Sequence, residues 1–243
     1  MAASSHPPLS TIVTRWLFGT ALVSWRYLWQ ITPLHRVEQR GRPGADAPPP
    51  LPEDLCDDRV QRAEHGVGSL FHRRFSVRIA GARRTANDVI SDVAEHFGRF
   101  VPREVVNVRT SSSNGSANLC PGDEFVVQMP GPWDGPVRVV HLDRTCLRLA
   151  TLRGHLEAGQ VQFHAEPDGA DIVFTVEAWA RPSTRVVRLL YAHLRLAKEI
   201  QLNMWVRFCR AAATRAGGRM VDGVHIRTYC LSSRSPDFTT AAT

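Results

Sequence analysis

Residues 154–159, with the sequence GHLEAG, hold a pair of side chains that could do chemistry, His155 and Glu157. On a continuous strand the two would share one face about 6.6 Å apart, which suits general acid–base catalysis or half of a metal site. The flanking glycines instead favour a hairpin turn, in which both side chains bond to turn backbone or to Arg153. A ligand-contacting role for these three residues at the mouth of a cavity is the alternative.

Three other side chains are predicted to line a ligand site. His193 and Met204 belong to the apolar stripe of a predicted C-terminal helix, and Trp179 lies near the end of a predicted strand. His193 would be a polar anchor for a ligand, although a lone histidine on an apolar stripe is more often a core residue. Trp179 shares its strand face with Glu177, for which Arg181 is a candidate partner. The sequence leaves open whether that face points inward.

Metal and cofactor chemistry find little support in the sequence. The ten histidines contain no pair at i, i+4 on a predicted helix or i, i+2 on a predicted strand, the spacings that a zinc site needs. The five cysteines are odd in number and lack a C-x-x-C pair, which predicts free thiols in a reducing compartment. The chain also lacks a G-x-S-x-G elbow, a phosphate loop and a dinucleotide fingerprint. We therefore predict no metal and no cofactor.

The net charge of +7 and the pI near 9.8 raise nucleic acid as a partner. Residues 1–44 alone carry five arginines and one glutamate, which is +4 of this charge. The remainder is nearly balanced and shows no arginine stripe interleaved with aromatic residues, so we predict no specific nucleic-acid binding. Because no secretory signal is evident, the predicted location is the cytoplasm.

Residues 14–34 are the most apolar part of the chain and predict a helix that ends before Pro33. Its longest uncharged run is ten residues, against the roughly 20 that a membrane span needs. Arg15 and Arg26 lie about three helical turns apart on one face, beside tryptophans, which is typical of a helix lying in a membrane surface. Residues 10–42 are therefore a candidate contact with the anionic inner face of a membrane. Packing of this helix on the protein's own domain is the alternative.

The elements that must position these residues begin after a proline-rich linker, residues 41–58. Strand-like runs separated by turn residues predict strands over 70–81, 104–109, 124–130, 136–142, 146–152, 160–166 and 171–180, and the run at 70–81 partly alternates apolar and polar residues. Their close spacing favours antiparallel hairpins. Thr85 predicts the start of a short helix, and a long helix of roughly 50 Å is predicted from Pro182 to about Thr214. Residues 221–230 could add one further strand.

This order of elements resembles the helix-grip arrangement of START-like proteins, the birch-pollen-allergen or polyketide-cyclase-like superfamily. Residues 60–215 also resemble an uncharacterised bacterial and plant family with a G-H-x-E-x-G turn, then Arg-Pro after a strand, then a long helix. The matching residues are Gly154, His155, Glu157, Gly159, Arg181 and Pro182. The resemblance implies an α+β fold: a curved antiparallel sheet of six to seven strands wrapped on the long helix. It implies no activity. The separate N-terminal helix lies outside the resemblance and is predicted from residues 14–34 alone.

The sequence therefore divides into an apolar, basic N-terminal helix, a linker, a START-like domain and a disordered tail, over residues 1–40, 41–58, 59–230 and 231–243. Because a curved sheet leaves room beneath its helix, binding of a small hydrophobic or lipid-like ligand in an apolar cavity is the favoured function. One alternative is a cyclase-like or hydratase-like enzyme in which His155, Glu157 or His193 moves protons. Another is a structural or interaction protein that holds no ligand.

Overall fold

The computed structural model describes residues 33–101, 107–110, 119–128, 134–185, 187 and 195–231. This part of the chain contains nine strands: β1 (Leu34–Arg40), β2 (Leu70–Ala80), β3 (Asn107–Thr110), β4 (Glu124–Gln128), β5 (Asp134–Leu142), β6 (Cys146–Thr151), β7 (Glu157–Asp168), β8 (Asp171–Pro182) and β9 (Arg219–Leu231). It also contains the α-helices α1 (Ala86–Glu95) and α2 (Arg195–Arg215). Short 3-10 helices lie at Glu53–Leu55, Ala63–His65 and Phe97–Arg99.

The nine strands form one open, curved sheet in the order β1-β9-β2-β8-β7-β6-β5-β4-β3. All neighbouring pairs are antiparallel except β1 and β9, which are parallel. Strands β3 to β8 follow one another as a meander, as their close spacing in the sequence predicts. The α+β class and the antiparallel sheet are therefore confirmed.

One face of the sheet, called the inner face here, packs against both helices. Strand β7 shows why: Phe163 and Ala165 are fully buried on this face, whereas Gln162 and His164 alternate onto the other, outer face. The inner face and the helices share one core, whose largest members are Phe75, Phe100, Phe125, Phe163, Phe174 and Phe208. The described part of the C-terminal helix therefore lies on the inner face of the sheet, as predicted.

Local sequence signals set the ends of the two helices. Thr85 begins α1 with a capping box, in which its hydroxyl accepts from the Asp88 amide while the Asp88 carboxylate accepts from the Thr85 amide. Helix α2 ends before Gly217, which has a φ of +72°. The buried carboxylate of Asp92 in α1 accepts from the guanidinium of Arg215 in α2. This ion pair fixes the two helices against each other on the sheet.

The sheet is larger than the six to seven strands predicted. Strand β1 lies within the segment predicted as an N-terminal helix. The sequence did not predict this strand, because LHRVEQR carries no alternating pattern and every residue after Leu34 is exposed. Strand β9, of 13 residues, inserts between β1 and β2. Two predicted segments lie outside the described residues. They are the helix before Pro33, with the part of the membrane-contact segment that precedes residue 33, and the tail beyond Leu231.

Residues 46–61, called the outer strap here, lie against the outer face. Their apolar side chains join a small cluster with β5 and β6: Leu51, Leu55, Cys56 and Val60 with Val140, Ala150 and Leu152. Backbone carbonyls of the strap accept from sheet side chains, from Gln160 at Pro49, from Arg148 at Pro50 and from Arg138 at Leu55. The proline-rich segment predicted as a linker is thus docked on the sheet. The boundary of the domain at residue 59 stays a prediction.

Within the described residues, no helix combines the length and the apolarity that crossing a membrane requires.

Candidate functional site

The turn between β6 and β7 is shaped by the ring of His155. The Glu157 amide donates to Nδ1 of His155 over 2.9 Å. The Glu157 carbonyl lies 3.1 Å from the same Nδ1, and in the tautomer in which Nδ1 accepts from the amide the proton of the neutral ring is on Nε2. Desolvation lowers the pKa of His155 and outweighs the opposing effect of Glu157, so the neutral form is favoured. Gly154 before it has a φ of +99°, which suits glycine in a turn.

The strap fixes this turn from the outside. Gln61 donates from its side-chain amide to the carbonyls of His155 and Glu157, over 3.1 and 2.8 Å. The Gln61 carbonyl accepts from the Gly159 amide and from the Thr151 hydroxyl. Turn architecture therefore accounts for the contacts between the His155 ring and the Glu157 backbone, as the flanking glycines favour.

Gly159 marks a close approach of two strands. It has a φ of +153°, and a Cβ there would lie 1.9 Å from the carbonyl oxygen of Trp179. No other residue fits this position without displacing backbone. The approach brings the start of β7 tightly against the end of β8, next to the His155 turn.

His155 also reaches the inner face of the sheet. Gly135 on β5 lies on that face, paired with Val127, which packs against the main core. A Cβ at Gly135 would lie 3.2 Å from Nε2 of His155, so the imidazole covers this glycine. The ring can thus present an N–H donor at the end of the inner face, next to the turn.

The predicted site residues do not all gather there. Glu157 is buried beside His155, but the Arg153 side chain is 70% exposed, with its nearest carboxylate, that of Asp58, 4.0 Å away. The Arg153 side chain is in solvent because the turn directs residue 153 away from the sheet. Met204 is half-buried and packs against the inner-face core. His193 lies outside the described residues.

Trp179 lies on the outer face, which answers the question that the sequence left open. Strand β8 places Trp179 in register with His72 and Gln160, opposite to the core residues Phe174 and Val176. The Trp179 and His72 rings stack with centroids 4.8 Å apart. Trp179 therefore stabilises the outer face and is not on the side that faces the helices.

His72 is held between two carboxylates on the outer face. Its Nδ1 lies 3.0 Å from Asp46 of the strap, and its Nε2 lies 3.4 Å from Glu177. Burial alone would raise the pKa of Glu177, but the hydrogen bond to His72 and the charges of Arg74 and nearby histidines lower it. Glu177 is thus an ionised partner on the outer face, and not an inward catalytic acid.

One half of the inner face is filled by aromatic side chains. Phe208 of α2 stacks on Phe163 with centroids 4.6 Å apart and on Phe100 at 5.0 Å. Phe97 and Trp205 add edge contacts to Phe163 at 5.4 and 5.7 Å. Side chains therefore occupy this half at core density.

The other half of the inner face carries small side chains, here called the small-residue row: Gly159, Ala178 and Ala180. The register places Ala178 beside Val161 and Ala180 beside Gly159 on the inner face. All three residues are buried. The row borders the His155 turn, so the inner face changes from aromatic to small residues toward that end.

Arg73 of β2 also lies on this inner face, where the sequence showed it only as an interruption of an apolar pattern. It is 7% exposed and lies in register with Ala178 on one side and Thr228 on the other. Its guanidinium carbon lies 5.1 Å from the centroid of the Phe71 ring. A single charged position on the apolar face of this strand was the signal that could have identified it.

Thiol and metal chemistry are not supported at this site. Burial raises the pKa of the Cys146 thiol to about 11 and also raises that of Cys209, so both stay protonated. Among the residues that the structure describes, no cluster of three histidines, cysteines or carboxylates could hold a metal ion.

Comparison with known proteins identifies a family. A family model described as a domain of unknown function (DUF1990) matches residues 62–221, which is 160 of the 243 residues. This match confirms the resemblance to an uncharacterised family predicted for residues 60–215. No curated protein matches the chain.

Solved structures are also similar to parts of this chain. One is a point mutant of norcoclaurine synthase from Thalictrum flavum with a transition state analogue, at 12% identity and a TM-score of 0.42 over 62% of this chain and 97% of that one. Another is Ara h 8.0201, at 11% identity and 0.40 over 60% and 97%. A third is the di-domain ARO/CYC StfQ of the steffimycin biosynthetic pathway, at 13% identity and 0.42 over 64% and 54%.

Proposed function

The chain belongs to the DUF1990 family, and from that premise we propose that it binds a small hydrophobic or lipid-like molecule. The ligand lies between the small-residue row of the inner face and the helical side of the molecule. Met204 and the turn of His155 and Glu157 border the same side.

The observation that carries this proposal is the contrast between the two halves of the inner face. Phe163 and its aromatic neighbours fill one half, whereas Gly159, Ala178 and Ala180 offer little side-chain volume to the other. We infer that a guest fills the volume that larger side chains would occupy in this half, because protein interiors are packed to crystal-like density. Buried apolar walls with few polar groups are the usual lining of a small-molecule site.

Binding of a neutral fluorescent probe, N-phenyl-1-naphthylamine, tests this proposal. The full-length protein is expected to bind it, and Ala178→Phe should weaken binding at least about tenfold, or 1.4 kcal/mol, because the ring occupies the same space. Gln162→Phe adds the same ring on the outer face of β7 and should leave the affinity unchanged.

The unfolding temperature of the Ala178→Phe variant gives a second test of the proposal. If the space is open, the variant unfolds within a few degrees of the wild-type temperature. A solid core would make the ring cost about 1–3 kcal/mol or more. Strong destabilisation together with no probe binding by wild type would overturn the proposal and favour a structural or interaction role.

Proton transfer by His155 is not favoured by its geometry. Its Nδ1 is engaged by the Glu157 amide, which leaves Nε2–H as a hydrogen-bond donor rather than a base. We therefore assign the His155 turn to the rim of the binding site, where it can donate a hydrogen bond to a ligand. A turnover abolished by His155→Ala in a folded protein would instead support the cyclase-like or hydratase-like alternative.

We further propose that the protein acts in the cytoplasm at an anionic membrane surface, through residues 10–42. Support comes from the concentration of arginine in residues 1–44 and from the exposure of Arg36 and Arg40 on β1. Flotation with vesicles containing phosphatidylserine should weaken in Arg36→Glu/Arg40→Glu and stay unchanged in Arg144→Glu. Equal flotation of all three proteins would remove the membrane contact.

A further inference from the structure

We infer that the outer strap is held by a proton-dependent latch, formed by His72, Asp46 and Glu177. The imidazole of His72 carries a positive charge while the strap is docked, and the strap is released when this proton is lost. The latch lies on the outer face of the sheet, so it is independent of the ligand proposed for the inner face. Docking of the strap therefore depends on pH.

The two ring nitrogens of His72 each face a carboxylate from a different element. Nδ1 lies 3.0 Å from Asp46 at the start of the strap, and Nε2 lies 3.4 Å from Glu177 of β8. The contact at Nε2 lacks the alignment of a hydrogen bond, so it is electrostatic. A neutral imidazole has a proton on only one nitrogen. Either neutral tautomer would direct a lone pair at one of the carboxylates, whereas the charged ring presents an N–H group to both.

The surroundings of the ring exclude water and favour a cation. The His72 side chain is 8% exposed. Its ring stacks on Trp179 of β8 with centroids 4.8 Å apart and on Tyr229 of β9 with centroids 5.3 Å apart. The face of an aromatic ring attracts a cation, and electrostatic contacts are stronger where water is excluded. Loss of the proton therefore weakens contacts on both edges and both sides of the imidazole.

Both carboxylates of the latch remain ionised in the folded protein. Burial alone would raise the pKa of Asp46, but hydrogen bonds from the Arg42 amide and from His72 lower it. Burial would also raise the pKa of Glu177, but the hydrogen bond to His72 and the charge of Arg74 lower it. The imidazole therefore faces two negative charges over the range in which histidines titrate.

Other charged or titratable groups face the latch from each neighbouring element. Arg42 precedes the strap, Arg74 belongs to β2, His164 to β7 and Tyr229 to β9. Between about pH 5 and 8, histidine is the residue type among these whose charge changes, so His164 needs a control. His155 acts in the opposite direction, because its neutral form is the stabilising one and acid weakens its contribution.

Loss of the proton loosens the first half of the strap. Residues 46–50 are bound by His72 and by the side chains of Gln160 and Arg148, which donate to carbonyls of the strap. An amide does not titrate and arginine stays charged, so among these three contacts only that of His72 responds to pH. The docked strap retains the proton, and a rise in pH from about 6 to 8 therefore favours release.

Cleavage of the Ala45–Asp46 bond by a protease that cuts before aspartate measures this release. Asp46 is 8% exposed, so the protease reaches it only when the strap opens. The rate in full-length protein is divided by the rate in a free peptide of residues 40–52 at the same pH, which removes the pH dependence of the protease. We expect the normalised rate to be at least about tenfold higher at about pH 8 than at about pH 6, equivalent to about 1.4 kcal/mol.

Variants assign the pH dependence to the latch. His72→Gln keeps an amide donor toward Asp46 but cannot take up a proton, so its normalised rates at the two pH values should differ by less than about twofold. Glu177→Gln should reduce the difference, because only one carboxylate then faces the ring. His164→Gln removes the neighbouring histidine and should keep the full difference.

Three cleavage results would overturn the inference: equal normalised rates of wild type at the two pH values, a difference that survives in His72→Gln, or a difference that is lost in His164→Gln. Ring ¹⁵N signals of His72 in full-length wild type at about pH 6 provide a test without a variant. We expect the signals of a charged imidazole. A neutral ring at this pH would overturn the inference even if His72→Gln does not fold.

Discussion

His155 acts on the backbone of its own turn before it can act on anything else. Its Nδ1 takes the Glu157 amide, and its Nε2 covers Gly135 on the inner face. A histidine and a glutamate at this spacing suggest catalysis in the sequence. In the structure the ring and the backbone amide form the contact, and the Glu157 carboxylate is not the partner of Nδ1.

Replacing His155 tests this role through stability. His155→Ala leaves the Glu157 amide without its acceptor and should lower the free energy of unfolding by about 1–3 kcal/mol. His155→Asn should cost less, because an asparagine side chain can accept from the amide two residues on. Urea unfolding of both variants measures the difference, and equal losses would contradict the assigned hydrogen bond.

The same histidine predicts a pH dependence. Burial holds its folded pKa below the ordinary 6.5, so the unfolded chain takes up the proton first as the pH falls. Its contribution to stability is therefore complete above pH 6.5 and declines as the pH falls from there toward the folded pKa. The stability difference between wild type and His155→Asn should shrink on acidification through this window, and a constant difference would contradict a depressed pKa.

Gly159 is the residue on which the β7–β8 approach depends. Gly159→Ala should cost more than about 3 kcal/mol, the upper end of usual single substitutions, because its Cβ would overlap the Trp179 carbonyl. Gly169→Ala is the matched control: φ is +63° and no atom lies within 4 Å of the added Cβ, so about 1–2 kcal/mol of backbone strain is expected. Thermal unfolding that ranks the two variants equally would contradict the close approach.

At the scale of elements, the outer strap depends on Arg138 of β5. This guanidinium is 9% exposed and binds Asp57 at 2.8 Å, the Leu55 carbonyl at 2.9 Å and the Glu124 carboxylate. The pKa of Arg138 is raised, first by the hydrogen bond to Asp57. Two of these three partners belong to the strap, so one side chain joins the strap to the sheet.

Loss of Arg138 should therefore release the strap locally. Arg138→Ala is expected to speed cleavage after Glu53 by a glutamate-specific protease at least about tenfold, since opening would become easier by roughly 1.4 kcal/mol or more. Arg148→Ala removes only one bond to the Pro50 carbonyl and serves as control. Equal cleavage rates in the two variants would show that Arg138 does not hold the strap on the sheet.

Alternation of residue types and turn residues were enough to predict the meander strands, and in β7 also the face of each residue. In β7, Phe163 and Gln162 fall on the faces that their polarity indicates. Strand β8 is different, because apolar residues occupy both of its faces: Trp179 packs on the outer face against Ala63, Leu70 and the His72 ring, partners that no pattern within β8 could reveal. Strand β1 was missed because Val37 is its one large apolar residue beyond Leu34.

At the scale of the whole molecule, the sequence predicts a helix on an antiparallel sheet, but long-range contacts decide what each face does. The backbone carbonyls of Pro49 and Pro50 bind side chains of the sheet and help to fix the strap. A proline-rich composition does not predict which way these carbonyls point. Arg73 breaks an apolar pattern, yet only the register beside Ala178 assigns it to the same wall as the small-residue row. The sequence identified single candidate residues. The proposed binding space follows from the register of the sheet, which places Gly159, Ala178 and Ala180 side by side.

The central claim, that a ligand lies against the small-residue row, is tested most directly by alanine methyl NMR of ¹³C-labelled full-length protein. Adding N-phenyl-1-naphthylamine to saturation should shift the methyl signals of Ala178 and Ala180. Ala165, in the aromatic half, and Ala150, under the strap, should not move. Unchanged Ala178 and Ala180 signals, or shifts confined to Ala165 or Ala150, would contradict the account.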